Sequence, residues 1–451
     1  MSSLVPRRAV IRGVGGVALL PVLNRVGWPA SSAAPSGAAF YVSAAGNDAA
    51  DGLTPATAWA TIDRANSVPD GSTVLFRRGD TFYGELNPPF GAEIGAYGSG
   101  ARPILTMYKL LNRPQGWVEH SAGVWRIDLA TPETHAGYSA TNDANIGFLV
   151  VDGVVRPALK FELAQLSALW DFFCDIENHT LYVAAPANPA ALSASIKAAP
   201  NGNAYGASGT VVYCQRGANQ IHDVHITGSG GCGIRGNGAD VHVHDCLIDY
   251  IGGSLLAGHG NGTSRYGNGI EHWPNVSGWT IENNEIAEVY DVAWSPQGRS
   301  TAGEPVYWRD MTVRNNHIHD CGQMFELWSE STNPQSPGFE RLVVSGNHCE
   351  RAGYGVFSDV RPDQAVRVHL LTYNLQTPVD ITIEDNVFDI SYGAYSYHLT
   401  EPPPGYVTRN NTIRLGAGHR LEFQRPEAVE QAAAWQAATG RDVGSTFVAV
   451  S

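Results

Sequence analysis

GNGIEHW (267–273) followed by WTIENNEI (279–286), YDVAWS (290–295) by MTVRNNHI (311–318), MFELWS (324–329) by LVVSGNHC (342–349) and GYGVFSD (353–359) by ITIEDNVF (381–388) are four imperfect copies of one unit. Each sets a short strand before a second apolar strand that runs into an asparagine. The closing residues are Asn284, Asn316, Asn347, Asn386 and, in a fifth unit, Asn411, spaced by 32, 31, 39 and 25 residues. Self-similarity on this scale means stacked units that bury a shared core. The β-branched content makes the strands β, so the expected fold is all-β: a right-handed parallel β-helix solenoid. Stacked asparagine amides would satisfy one another at the coil turns.

The rest of the chain surrounds this block. FYVSAAGNDAADGLTPATAWATIDRAN (40–66) and DGSTVLFRRGDTFYGEL (70–86) carry a strand, a Gly-Asn-Asp turn, a Pro-to-Trp-to-Thr-Ile stretch and a short capping helix. This opening resembles that of secreted β-helix proteins of the pectate-lyase-like superfamily. The resemblance covers about 80 residues. It implies a fold and a class of carbohydrate-active, glycoside hydrolase-like proteins, not one reaction. The expected divisions are a cap with first coils at 38–118, a small β-rich insertion at 119–200, site-bearing coils at 201–415 and a C-terminal cap at 416–451. The insertion is read from VVDGVVRPALKF (150–161) and LWDFFCDIENHTLYVAA (169–185), strands separated by turn signals. Similar insertions occur in bacterial β-helix glycosidase-like proteins. PEAVEQAAAWQAATG (426–440) has helical periodicity and would cover the open end of the solenoid.

PRRAVIRGVGGVALLPVL (6–23), with its twin arginines Arg7 and Arg8, resembles a twin-arginine export signal over residues 1–36, so a secreted protein is expected. The chain carries a formal charge of −14, and residues 1–36 hold four arginines and no acid, which leaves −18 without them. So acidic a surface disfavours nucleic acid and polyanions. No further apolar run is long enough to span a membrane. A monomer acting on a polysaccharide or oligosaccharide is the expectation. The six cysteines read as buried free thiols, and no cysteine or Cys/His spacing suggests a zinc site.

Alternation along a strand decides which residues share a face. With Ile234, Ile270, Val292, Phe325 and Val356 pointing inward, Arg235, Glu271, Asp291, Glu326 and Asp359 project outward together with Trp273, Trp328 and Tyr395. Carboxylates beside flat rings are a sugar-handling inventory. On this register Glu271 and Glu326 share a column with Ala293 between them, their backbones about 9.6 Å apart, and Asp291 lies roughly 8 Å from each. Inverting glycosidases hold their two carboxyls about 6.5–9.5 Å apart, retaining ones about 5–5.5 Å, so inversion is favoured. Gly269, Ala293 and Gly355 are taken to leave room beside the acids. Connections 252–266, 296–308, 329–340 and 360–378 could wall a cleft, which makes His259, Arg265 and Tyr266 substrate contacts.

The three acids Glu271, Asp291 and Glu326 also resemble the layout of polygalacturonase-like hydrolases. The short signature sequences of those enzymes are absent in matching order, and the Gly-His-Gly around His259 precedes the acids. Three functions stay open. A glycoside hydrolase would use Glu326 or Asp291 as proton donor and Glu271 with the remaining acid to activate water, without a cofactor or metal. A polysaccharide lyase would need a base such as Arg235, Tyr266 or His259 and a cation such as Ca²⁺ held by the acids. A glycan-binding protein would keep the aromatics without needing the three acids.

Overall fold

The computed structural model describes residues 37–129, 144–201, 209–256, 258–300, 302–362 and 366–450. The expected export signal at 1–36 lies outside them. The chain is a parallel β-helix with three sheets of eleven, ten and seven strands, paired in parallel from coil to coil. Each repeat supplies three strands rather than two. GNGIEHW places Ile270–His272 in the seven-stranded sheet, WTIE places Thr280–Glu282 in the eleven-stranded sheet, and the residues after Asn284 form Glu285–Val289 in the ten-stranded sheet.

The turn between the last two strands explains the asparagines. Asn283, Asn315, Gly346, Asp385 and Asn410 occupy the left-handed region with φ of 55–65°, which Gly, Asn and Asp tolerate best. The next residue then turns its side chain inward. Asn284 Nδ2 donates to Asn316 Oδ1 at 3.0 Å, Asn316 to Asn347 at 2.9 Å, Asn347 to Asn386 at 2.9 Å and Asn386 to Asn411 at 3.1 Å. Each amide also donates to a carbonyl of the preceding coil, as Asn316 does to Ile281 O at 3.0 Å. The ladder closes on Asp442 Oδ1, 3.0 Å from Asn411 Nδ2.

Apolar residues stack in register beneath this ladder. Ile248, Ile286, Ile318, Cys349, Phe388 and Ile413 form one column, and Val243, Ile281, Val313, Val344 and Ile383 another. All are fully or almost fully buried, each burial stabilising by about 1.5–3 kcal/mol. All six cysteines are buried and none forms a disulfide. Two sheets built from residues 109–201, one antiparallel and one mostly so, sit against the coils. The helix Ala432–Thr439 sets Trp435, fully buried, against the last coil. Among the described residues no helix is long and apolar enough to cross a membrane.

The register differs from the expected one at two coils. Ile270 pairs with Trp294, and Trp294 with Phe325, so Trp294 rather than Val292 fills the core there. The strands bend at this point, and two successive residues turn inward: Ala293 with Trp294, Met324 with Phe325. Gly269 is interior for the same reason, since a Cβ on it would stand 3.1 Å from Ile286 Cγ2. These small residues make room in the core, not beside the acids. In the next coil the sheet strand is Val368–Leu375, with Leu370 inward. Val356 is 37% exposed. Gly353 and Gly355, at φ 81° and 86°, break the extended backbone, and a Cβ on Gly355 would lie 2.4 Å from Glu288 Oε2.

Candidate active site

The seven-stranded sheet carries Cys232–Arg235, Ile270–His272, Val292–Arg299 and Gln323–Glu330 in succession. Arg235 pairs with Glu271 and Glu271 with Ser295, and the pairing of Trp294 with Phe325 puts Glu326 next in line. Glu271 and Glu326 therefore share an outward column two rungs apart, with Ser295 between them where Ala293 was expected. Both are nearly covered, at 5% and 4% exposure. One step along, Trp273 and Trp328 meet edge to face with ring centres 5.9 Å apart. Trp328 is 4% exposed and donates its indole N–H to Glu330 at 3.1 Å, so little of its face is open to a ligand.

Beside this column lies a narrow cleft, a recess of about 30 Å³. Leu256, His259, Ser264, Arg265, Tyr266, Asp291, Glu326 and Tyr373 line it. Asp291, Glu326, His259, Arg265 and Tyr266 thus converge as expected from the sequence. Their environments separate their roles. Asp291 receives a hydrogen bond from Arg361 Nη2 at 2.6 Å, and Arg361 is itself buried and bonded to Tyr290 O. Two guanidiniums lie against the Tyr290 ring, Arg265 at 4.7 Å and Arg361 at 5.3 Å from its centre. Gly322 gives Arg361 its space, since a Cβ there would fall 2.6 Å from Nη1.

Glu271 accepts from Gln297 Nε2 at 3.2 Å and from the Cys232 thiol at 3.0 Å, with Arg235 Nε at 3.7 Å. Burial first, and the Glu271 carboxylate second, push the Cys232 thiol well above its usual range, so it stays protonated and donates. Ser295 Oγ and Gln297 Oε1 are buried on the same face with no hydrogen-bond partner among the described residues. Buried polar atoms are normally satisfied, which leaves each of these two needing a partner such as water.

Arg265 is spent on architecture. Its guanidinium donates to Gly253 O at 2.5 Å, Gly147 O at 2.9 Å and Pro157 O at 3.3 Å, tying the insertion to the coils. The Tyr266 hydroxyl accepts from Asn201 Nδ2 at 2.7 Å, and burial raises its pKa above the usual range. Two expected contacts lie elsewhere. Tyr395 is in the core, its hydroxyl 3.5 Å from Asp442 Oδ1, because the inward bend claims its position in the last coil. Asp359 sits exposed on the short turn Ser358–Val360, outside the sheet and not lining the cleft. The sequence reading missed Arg361 and Tyr373. Both belong to the connection 360–378 flagged as a wall, but nothing local places Arg361 beside Asp291, 70 positions away, or Tyr373 in one recess with Glu326, 47 positions away.

No family model matches the chain, and no curated protein matches it. Among solved structures, XylC in complex with xylose aligns over 84% of this chain and 69% of its own, at 11% identity and a TM-score of 0.48. The native GH136 lacto-N-biosidase of Eubacterium ramulus aligns over 91% and 68%, at 12% identity and 0.38. A third structure, described as a glycoside hydrolase, aligns over 91% and 96%, at 9% identity and 0.46. The likeness is one of fold alone.

Proposed function

We propose that the protein is a glycoside hydrolase. The carrying observation is that Asp291 and Glu326 open into one cleft while Glu271 stands in the Glu326 column two rungs away. Coil backbones two rungs apart are about 9.6 Å from each other, which favours inversion, with a water between acid and base. The ion pair with Arg361 uses Asp291 as an anion and leaves Glu326 as the donor. Glu326 gives its proton to the glycosidic oxygen as the C1–O bond breaks. Glu271 takes a proton from the water whose oxygen bonds to C1 on the opposite face. Asp291 then faces the positive charge that develops on the sugar ring, an electrostatic role. Ser295 Oγ and Gln297 Oε1 supply hydrogen bonds to sugar hydroxyls or to the attacking water. Because both glutamates are about 95% covered, a sugar residue has to enter a recess, which favours attack at a chain end. The leader expected from the sequence would carry the enzyme out of the cell.

β-Elimination is the weaker reading. Of its candidate bases, Arg265's neighbour Tyr266 has a phenol held protonated by burial, and Arg235 stands against Glu271 as a counter-ion. The deciding experiment digests a panel of neutral and uronate-containing glycans and follows reducing ends together with the ultraviolet absorbance of unsaturated uronate. New reducing ends without the chromophore, lost in Glu326→Gln and Glu271→Gln, are expected. A rising chromophore would replace hydrolysis by elimination, and binding without turnover on every substrate would reduce the protein to a lectin-like β-helix.

A further inference from the structure

Outside the cleft, the outward face of the ten-stranded sheet carries alternating imidazoles and carboxylates. Register sets Glu285 beside His317, and His317 and His319 beside His348 and Glu350 of the next coil. His317 and His319 are two residues apart on one strand, so both project outward. One nitrogen of each imidazole and one oxygen of Glu285 all lie within 4.8 Å of one another, the one such three-residue group among the described residues. His319 Nε2 stands 3.4 Å from Glu285 Oε1. Two ligands on a tetrahedral ion with bonds of about 2.0–2.1 Å are separated by nearly that distance. Glu350 Oε1 is hydrogen-bonded to His317 Nε2 at 2.8 Å and lies outside this group.

A second observation points the same way. The other nitrogen of His319, Nδ1, is 2.9 Å from Asp320 Oδ2, and Asp320 is held in turn by Arg351, whose Nε is 2.8 Å from Oδ1. A carboxylate behind the imidazole fixes its tautomer and aims the far nitrogen outward, the arrangement that supports zinc-bound histidines. The other histidine row, on the eleven-stranded sheet, has the same backing, with His222 Nδ1 3.0 Å from Asp223 Oδ2 and His244 Nδ1 2.7 Å from Asp245 Oδ2, but among the described residues it gathers no three ligand atoms within 4.8 Å of one another. There His244 Nε2 meets the Gln220 amide at 2.9 Å, and His222 and His244 stack ring on ring at 5.0 Å.

We infer that Glu285, His317 and His319 form a zinc(II) site that staples two successive coils. It stands apart from the acids of the cleft and does not depend on the glycosidase reading. The experiment titrates metal-free protein with zinc chloride alone by calorimetry, and with cobalt(II) by visible absorbance. One saturable site is expected, with the intense bands of tetrahedral cobalt and a higher unfolding temperature when zinc is bound. His319→Ala and Glu285→Gln should lose the bands, while Asp320→Asn should weaken binding by about 10–100-fold. Circular dichroism of each metal-free variant checks the fold. Absence of a saturable site, or binding unchanged in His319→Ala and in Glu285→Gln, would overturn the assignment.

Discussion

Three carboxylates on one face are held in three different ways. Asp291 is gripped by a buried guanidinium, Glu271 is surrounded by a thiol, an amide and a more distant arginine, and Glu326 opens into the cleft. Replacing Glu326 or Glu271 by glutamine keeps the shape and removes the proton transfer, so kcat should fall by about 10²–10⁴-fold, measured on whichever glycan the wild type cleaves. Arg361→Met leaves Asp291 as a partly buried charge without its counter-ion. We expect a loss of about 3–5 kcal/mol in stability, read from the denaturant midpoint, together with a drop in kcat from the misplaced carboxylate. A midpoint within error of wild type would show that Arg361 does not anchor the site.

The coil turn is the element that repeats, and its chemistry is paired: one residue tolerant of positive φ, then an inward asparagine. Asn316→Ala would orphan the Asn284 backbone N–H, remove one of the two hydrogen bonds of the Asn284 side-chain amide and take the side-chain donor from the Ile281 carbonyl. At about 1–3 kcal/mol for each buried group left unsatisfied, the turn should lose several kcal/mol, seen as a lower urea midpoint and faster amide exchange in neighbouring coils. The preceding position obeys a different rule. Asn315 sits at φ 55°, so Asn315→Val should cost about 1–2 kcal/mol, whereas Asn315→Gly should be close to neutral. Equal effects from the two substitutions would remove backbone conformation as the reason for the motif.

The whole molecule carries its pH response in the core. His272, packed against Trp279 with ring centres 4.3 Å apart, and His369, beside Phe388, are fully buried, and burial lowers each pKa to about 3. An unfolded chain would protonate both rings near 6.5, while the folded one keeps them neutral. The unfolded state therefore binds more protons below 6.5, and stability falls as pH drops from about 6.5 toward 3, then levels off. By pH 5 each ring should cost roughly 2 kcal/mol. Denaturant midpoints between pH 7 and 4 should show this slope, and His272→Leu should flatten it. An unchanged slope in that variant would assign acid sensitivity to other groups.

The period of the Asn-closed units, their β-branched strands and the Gly-Asn-Asp opening were enough to determine a β-helix, because a coil turn demands the same local chemistry wherever it recurs. The inward placement of Ile234, Ile270 and Phe325 was legible too, and with it the outward Glu271 and Glu326. The seat of Trp294 in place of Val292, and of Tyr395 in the core, was not, because a bend that turns two neighbours inward breaks the two-residue period and leaves no local signature. Nor could Arg361 be tied to Asp291, or Glu285 to His317 and His319, from sequence alone. Those contacts exist because stacking sets residues about 4.8 Å apart across rungs that are 30 to 70 positions apart in the chain, and only the folded register decides which of them meet.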